Sequence, residues 1–242
     1  MEFCLVNGEA ATFLLEEECY SGVAKIAEKV CGDVELVTGI RPVTRRISKT
    51  YLDEQKESEY VVLVGTVGKS SVLEKLNGRV PLDKIRGKRE SFLFQIVDNG
   101  TKATLVIAGS DKRGTIYGLF HLSEYMGVSP WVHFSDVLPE KRKKLTLTEK
   151  DNMISREPSV KYRGFFINDE WPAFGSWTFE HFGGFTEEMY DLIFETLLRL
   201  KGNYLWPAMW TSSFSLDGPG DANARLADEY GIVMSNSCLL YT

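Results

Sequence analysis

The 242 residues carry 28 Lys and Arg against 34 Asp and Glu, a net charge of −6. With 43% hydrophobic and 26% charged residues the composition is that of an ordinary globular protein, which excludes disorder as the main state. The acidic balance speaks against nucleic acid as a partner, and no uncharged apolar run reaches the ~18 residues that would suggest a membrane span. No signal peptide is visible, because Glu2 stands where a basic n-region would be and no long apolar run follows. The expectation for the chain as written is therefore a cytoplasmic location. Cys4, Cys19, Cys31 and Cys238 form no CxxC pair and have no His at zinc spacing, so they read as buried or free thiols and no metal is expected.

The first part alternates strand and helix patterns. Phe3 to Val6 and Ala11 to Leu15 read as short strands around the hairpin signal Asn7-Gly8. Val23, Ile26, Ala27 and Val30 follow helical spacing, with Gly32 as the expected stop. Tyr60 to Val64 is a continuous apolar, β-branched run and reads as a buried strand. Ser70 to Leu76 predicts a short helix. Phe92 to Val97 and Ala103 to Ala108 predict strands joined by the turn Asp98-Asn99-Gly100, and Gly114 to Met126 predicts a helix closed by Gly127. The charged stretch Pro139 to Pro158 reads as a domain end and linker, giving domains of 1–150 and 151–242.

In the second part Phe165 to Ile167 reads as a strand ending in Asn168-Asp169-Glu170. Thr186 is placed to cap a helix with Met189, Leu192, Ile193, Leu197 and Leu200 on one stripe and Gly202 as the stop. Asn203 to Ala208 reads as a strand, Asp221 to Glu229 as a helix and Gly231 to Ser235 as a strand. The order β-α-β-α-β implies a parallel sheet, so the fold class is α/β.

Two loops suggest phosphate. Gly65-Thr66-Val67-Gly68-Lys69-Ser70 follows a strand and ends in Gly-Lys-Ser. A Walker A loop needs four residues between its glycines, and only Thr66 and Val67 stand there. This reads as a structural turn, and no cofactor is expected. Gly109 to Gly114 also leads from a strand into a helix, and Lys112 and Arg113 add positive charge that suits an anion.

At the carboxyl end of a parallel strand, where α/β folds carry their ligands, stand the adjacent carboxylates Asp169 and Glu170. Adjacent residues point in different directions, so one suits catalysis or sugar binding and the other a bracing role. The run Asn203 to Trp210 is expected beside Asp169. Aromatic faces pack on sugar C–H faces and Asn offers both donor and acceptor to hydroxyls. Trp206 equally suits a core position, Trp171 and Trp177 either wall the site or cover the core, and His181 reads as structural.

Four blocks resemble glycoside hydrolase family 115. They are Lys161 to Glu170 (KYRGFFINDE), Phe182 to Phe185 (FGGF), Leu198 to Trp210 (LRLKGNYLWPAMW) and Leu226 to Met234 (LADEYGIVM). Gly109 to Trp131 resembles the end of that family's N-terminal α/β domain. The resemblance implies an inverting α-glucuronidase that removes glucuronic acid or its 4-O-methyl ether from glucuronoxylan or its oligosaccharides, without a cofactor. Inversion needs a general acid and a general base roughly 6.5–9.5 Å apart. It implies an N-terminal α/β domain followed by a TIM (β/α)8 barrel, here incomplete after three strands, with a homodimer as the assembly expected of the intact parent. On position, Asp169 is the expected catalytic carboxylate. Glu170, Asn203 and Trp206 are expected to bind substrate, and Lys112 and Arg113 to approach the uronate. The family typically continues after Met234 with a Ser-His-His-Glu-Pro motif, whereas this sequence reads Ser235-Asn236-Ser237-Cys238 and ends at Thr242. The expectation is thus a fragment with little or no turnover, and the alternative is a carbohydrate-binding or inert remnant.

Overall fold

The computed structural model describes residues 1–51, 59–100, 102–207, 210 and 212–235. It divides into two compact units, 1–159 and 160–242. Each is α/β.

In the first unit a small sheet forms from β1 (Glu2–Asn7), β2 (Glu9–Ala10) and β8 (Lys144–Thr148), in the order β2-β1-β8. The larger sheet takes β3 (Thr12–Glu16), β4 (Thr44–Ile47), β5 (Val61–Thr66), β6 (Phe92–Asp98), β7 (Ala103–Gly109) and β9 (Met153–Ile154), in the order β4-β3-β5-β7-β6-β9. β4, β3, β5 and β7 run parallel, while β6 is antiparallel to β7 and β9. The apolar run expected at 60–64 becomes β5, buried along its length, as a strand covered on both faces must be. Asp98 to Gly100 does turn the chain between β6 and β7: Gly100 takes φ +89° and its N–H donates to Asp98 Oδ1 at 2.8 Å.

Helix α1 (Ser21–Thr38) runs six residues past Gly32, the expected stop. Val34 and Val37 extend the buried stripe beyond it, and packing outweighs the roughly 1 kcal/mol that one interior glycine costs. The actual stop is Gly39, at φ +79°. Short α2 (Ser71–Lys75) is capped by the Ser70 hydroxyl, and α3 (Lys112–Tyr125) by Asp111, which accepts from the Gly114 N–H at 2.7 Å. A buried bond from Ser123 Oγ to Asp33 Oδ2, 2.6 Å long, ties α3 to α1.

The charged stretch 139–158 is not a linker. It supplies β8 and β9, and Ser155 pairs with Phe92 through its N–H (2.8 Å) and its Oγ (2.7 Å). The first compact unit runs to Ser159. Alternation at Leu145 and Leu147, both buried, was the visible trace of β8.

The second unit is a parallel sheet β10-β11-β12, formed by Gly164–Phe166, Tyr204–Trp206 and Val233–Met234. Helices α4 (Phe174–Phe182) and α5 (Glu187–Arg199) lie between the first two strands, and α6 (Ala222–Tyr230) before the third. In α5 Met189, Ile193 and Leu197 are buried as the stripe predicts, but Leu200 is exposed because the helix ends at Arg199. The left-handed residue that turns the chain is Lys201, at φ +58°, and not Gly202. Gly202 is needed for space, since a Cβ there would sit 2.4 Å from Leu197 Cδ1. Thr186 precedes α5 but its side chain makes no capping bond.

Candidate functional site

Parallel pairing of β10 with β11 puts the segment after Phe166 and the loop after Trp206 at the same edge of the small sheet. Asp169 lies there, fully buried. Its carboxylate accepts the backbone N–H groups of Trp210 (3.2 and 3.1 Å) and Ser212 (2.9 Å). The two amide donors hold the loop after β11 against the segment after β10. The carboxylate expected to meet substrate accepts backbone amides of the loop after β11. Its neighbour Glu170 is exposed, consistent with adjacent side chains diverging.

Asp217 stands in the same loop and was not singled out from the sequence. Its carboxylate accepts the Ser213 N–H at 2.6 Å. Burial, and then the nearby Asp169 charge, raise its pKa from the ordinary Asp value. Tyr190 of α5 is buried nearby, and burial together with the Asp217 and Asp169 charges pushes its phenol up. No motif marks Asp217. Its one sequence signal was position, on the loop that follows a parallel strand.

Trp206 is exposed at the end of β11, edge-on to Phe166 at 5.4 Å, and is not core. Trp210 and Trp171 are exposed on the loops after β11 and β10. Trp171 packs on Phe179 at 5.4 Å. Trp177 stacks with Phe174 and carries His181, whose Nδ1 lies 2.8 Å from the Trp177 carbonyl oxygen, so His181 is structural.

Asn203 is at the opposite end of the sheet. It precedes β11 and is buried, with Oδ1 accepting from the Arg163 N–H (2.9 Å) and Nδ2 donating to the Lys161 carbonyl (2.8 Å). Its amide clamps the entry to β10 and does not sit beside Asp169. Residues 203 and 210 fall at opposite ends of a strand of three residues.

Lys112 and Arg113 belong to the first unit. Arg113 Nε pairs with the buried Glu90 carboxylate, and Lys112 Nζ lies 5.5 Å from the centroid of the Tyr20 ring. The loop at 65–70 offers no phosphate cradle. The N–H of Val67 donates to Gly109 O, that of Gly68 to Glu74 Oε1, those of Lys69 and Ser70 to Thr66 O, and that of Ser71 to Glu16 Oε1. Every amide that a bound phosphate would need has an internal acceptor.

Cys4, Cys19 and Cys31 are free thiols, while Cys238 lies outside the described residues. Among the described residues no group of three or more His, Cys, Asp or Glu is placed to hold a metal, and no helix is long and apolar enough to cross a membrane.

Comparison with known proteins defines a class first: the relatives are glycoside hydrolases. Residues 24–122 match the glycosyl hydrolase family 67 N-terminus and residues 155–239 match glycosyl hydrolase family 115. Among solved structures the chain is similar to BtGH115A, described as a family GH115 4-O-methyl-α-glucuronidase with specificity for decorated arabinogalactans. The TM-score is 0.79 at 30% identity, over 97% of this chain and 29% of that one. A second neighbour is a GH138 enzyme targeting pectin rhamnogalacturonan II (TM-score 0.47, 13% identity, 93% of this chain and 24% of that one). Curated proteins give no match. The particular likeness is thus to family 115, whose member BtGH115A this chain resembles in both units. The chain spans less than a third of that relative's length.

Proposed function

We propose that this chain supplies the N-terminal α/β unit and the first βα units of a TIM barrel in an inverting α-glucuronidase. The substrate would be glucuronic acid, or its 4-O-methyl ether, carried on glucuronoxylan or a similarly decorated polysaccharide. The observation that carries this reading is the likeness to a 4-O-methyl-α-glucuronidase over 97% of the chain. The residues at the carboxyl edge of β10 and β11 fit it chemically. Trp206 and Trp210 offer exposed aromatic faces for the C–H surface of a sugar ring. Asp169 fixes the loop that carries Trp210 and Asp217. Asp217, whose pKa burial and the Asp169 charge raise, is the carboxyl of this loop that we assign as the candidate general acid. Glu170, exposed beside Asp169, accepts from sugar hydroxyls in this reading.

The burial of Asp169 favours a second reading for the chain itself, namely sugar binding without hydrolysis. One experiment separates the two. The chain is titrated with a xylo-oligosaccharide bearing 4-O-methylglucuronic acid, and released uronic acid is measured in parallel. Release that falls on Asp217→Asn supports the glucuronidase reading. Saturable binding lost on Trp206→Ala, with no release, supports the second. Neither binding nor release overturns both.

A further inference from the structure

In an Asn-Gly pair the backbone nitrogen of the glycine can reach the asparagine side-chain carbonyl carbon, because no Cβ stands in the way. The sequence holds three such pairs, Asn7-Gly8, Asn77-Gly78 and Asn99-Gly100. The fold constrains them unequally.

Asn99 lies in the turn between β6 and β7 with both ends of its amide held. Oδ1 accepts the Lys102 N–H at 2.9 Å, and Nδ2 donates to Thr104 Oγ1 at 3.1 Å. The nitrogen that would attack is engaged too, since the Gly100 N–H donates to Asp98 Oδ1 at 2.8 Å. Asn7 ends β1 and is paired on both sides, with Glu9 of β2 and with Lys144 of β8. Closing a ring onto its side chain takes the residue out of the extended conformation and breaks both pairings.

Asn77 has neither constraint. It follows α2, a helix of only five residues, and its side chain is exposed, with no hydrogen bond among the described residues. Its N–H donates to the Glu74 carbonyl at 3.1 Å, and a single bridge joins it to Val80. Gly78 and Arg79 beside it are exposed as well. Gly78 takes φ +95°, and a Cβ there would meet nothing within 4 Å, so the turn has open space to move into. A short exposed turn with so few bonds opens at little free-energy cost.

We propose that Asn77 is a site of spontaneous covalent modification, which converts it to aspartate and isoaspartate while Asn7 and Asn99 persist. The Gly78 nitrogen bonds to Asn77 Cγ and gives up its proton. The Cγ–Nδ2 bond breaks, and ammonia leaves with that proton, which closes a succinimide ring. Water then adds across one of the two ring C–N bonds to give aspartate, or across the other to give isoaspartate. Both products add a negative charge, and isoaspartate lengthens the main chain by one carbon. All these residues belong to the first unit, so the proposal stands apart from the glycosidase reading.

The test keeps the full chain at mildly alkaline pH and body temperature for several weeks. Samples are digested, and peptide mass mapping with an isoaspartyl methyltransferase label follows each pair. The same chain in urea gives the rate that each pair shows on local sequence alone. In the folded chain Asn77 is expected to react within about three-fold of its unfolded rate, and Asn7 and Asn99 at least about ten-fold slower than theirs. Asn77→Gln changes only an exposed side chain and is expected to remove the label from the folded chain. Protection of Asn77 equal to that of the other two pairs would mean that its turn is as firmly held as the ladders. Equal reactivity of all three would mean that the fold does not select among them. Either result overturns the proposal.

Discussion

Asp169 shows how a residue's place and its contacts are legible to different degrees. Its place at the end of β10 follows from the strand pattern and the acidic pair. Its contacts follow from the loop at 207–217, whose backbone amides no sequence pattern announces. Asp217 bears a testable charge. Its folded pKa is raised, so the folded state holds that proton more tightly than the unfolded chain does. Stability is therefore lost as pH rises from the ordinary Asp value through the raised one. Asp217→Asn is expected to raise the melting temperature of the second unit at pH 7, and the gain should vanish below about pH 3.9. Since the group is partly solvated the gain is at most about 1 kcal/mol. Melting curves at pH 3.5 and pH 7 check this, and an equal effect at both would contradict it. Cys31 makes a simpler case: burial pushes its thiol up to about 12. Iodoacetamide at pH 8 should leave Cys31 unmodified in the folded chain and label it in urea, as mass spectrometry would read.

At the scale of elements, two features hold the second unit. The Glu195–Arg199 pair on α5 is bonded at 2.9 and 2.7 Å, with both side chains buried. Arg199→Ala removes both of these bonds from the buried Glu195 carboxylate and should cost about 3–5 kcal/mol. Asn203→Ala orphans the Arg163 N–H and the Lys161 carbonyl, a loss of about 2–5 kcal/mol. Chemical denaturation measures both, and a change below 1 kcal/mol in either (~1, the scale of an exposed pair) would refute the assignment. A third residue is sterically fixed: a Cβ on Gly164 would lie 1.5 Å from the Tyr204 carbonyl oxygen, in the strand that β10 must join. The helices and central strands were legible because burial imposes a period on their apolar residues. Val23 to Val30 and Met189 to Leu197 announce themselves in this way. Their ends were less legible. Gly32 sits inside α1 and Lys201 takes the left-handed position that Gly202 was expected to fill, because tertiary packing decides between a stop and a continuation. β8 and β9 were missed because strands of five and two residues in a charged stretch carry almost no period.

On the scale of the whole molecule, the boundary at Ser159 has a direct test. A chain ending at 159 keeps β9 and the Ser155 bonds to Phe92, whereas one ending at 150 exposes the edge of β6. The longer piece should unfold cooperatively, and the shorter should melt lower and aggregate. Equal melting temperatures would place the true end of the unit before β9. The likeness to glycoside hydrolase family 115 was legible from four short blocks, which include β10, β11, β12 and the end of α6.

The first unit also closes on itself. β1 pairs with β8 from Glu2 opposite Thr148 to Asn7 opposite Lys144. β1 thus waits for a partner about 137 residues later in the chain, which at ribosomal speeds of about 5–20 residues per second is roughly 7–27 s. During that interval Phe3 and Leu5, both fully buried in the finished unit, have no β8 to cover them. In the growing chain those two side chains stay uncovered until the last strand of their sheet emerges.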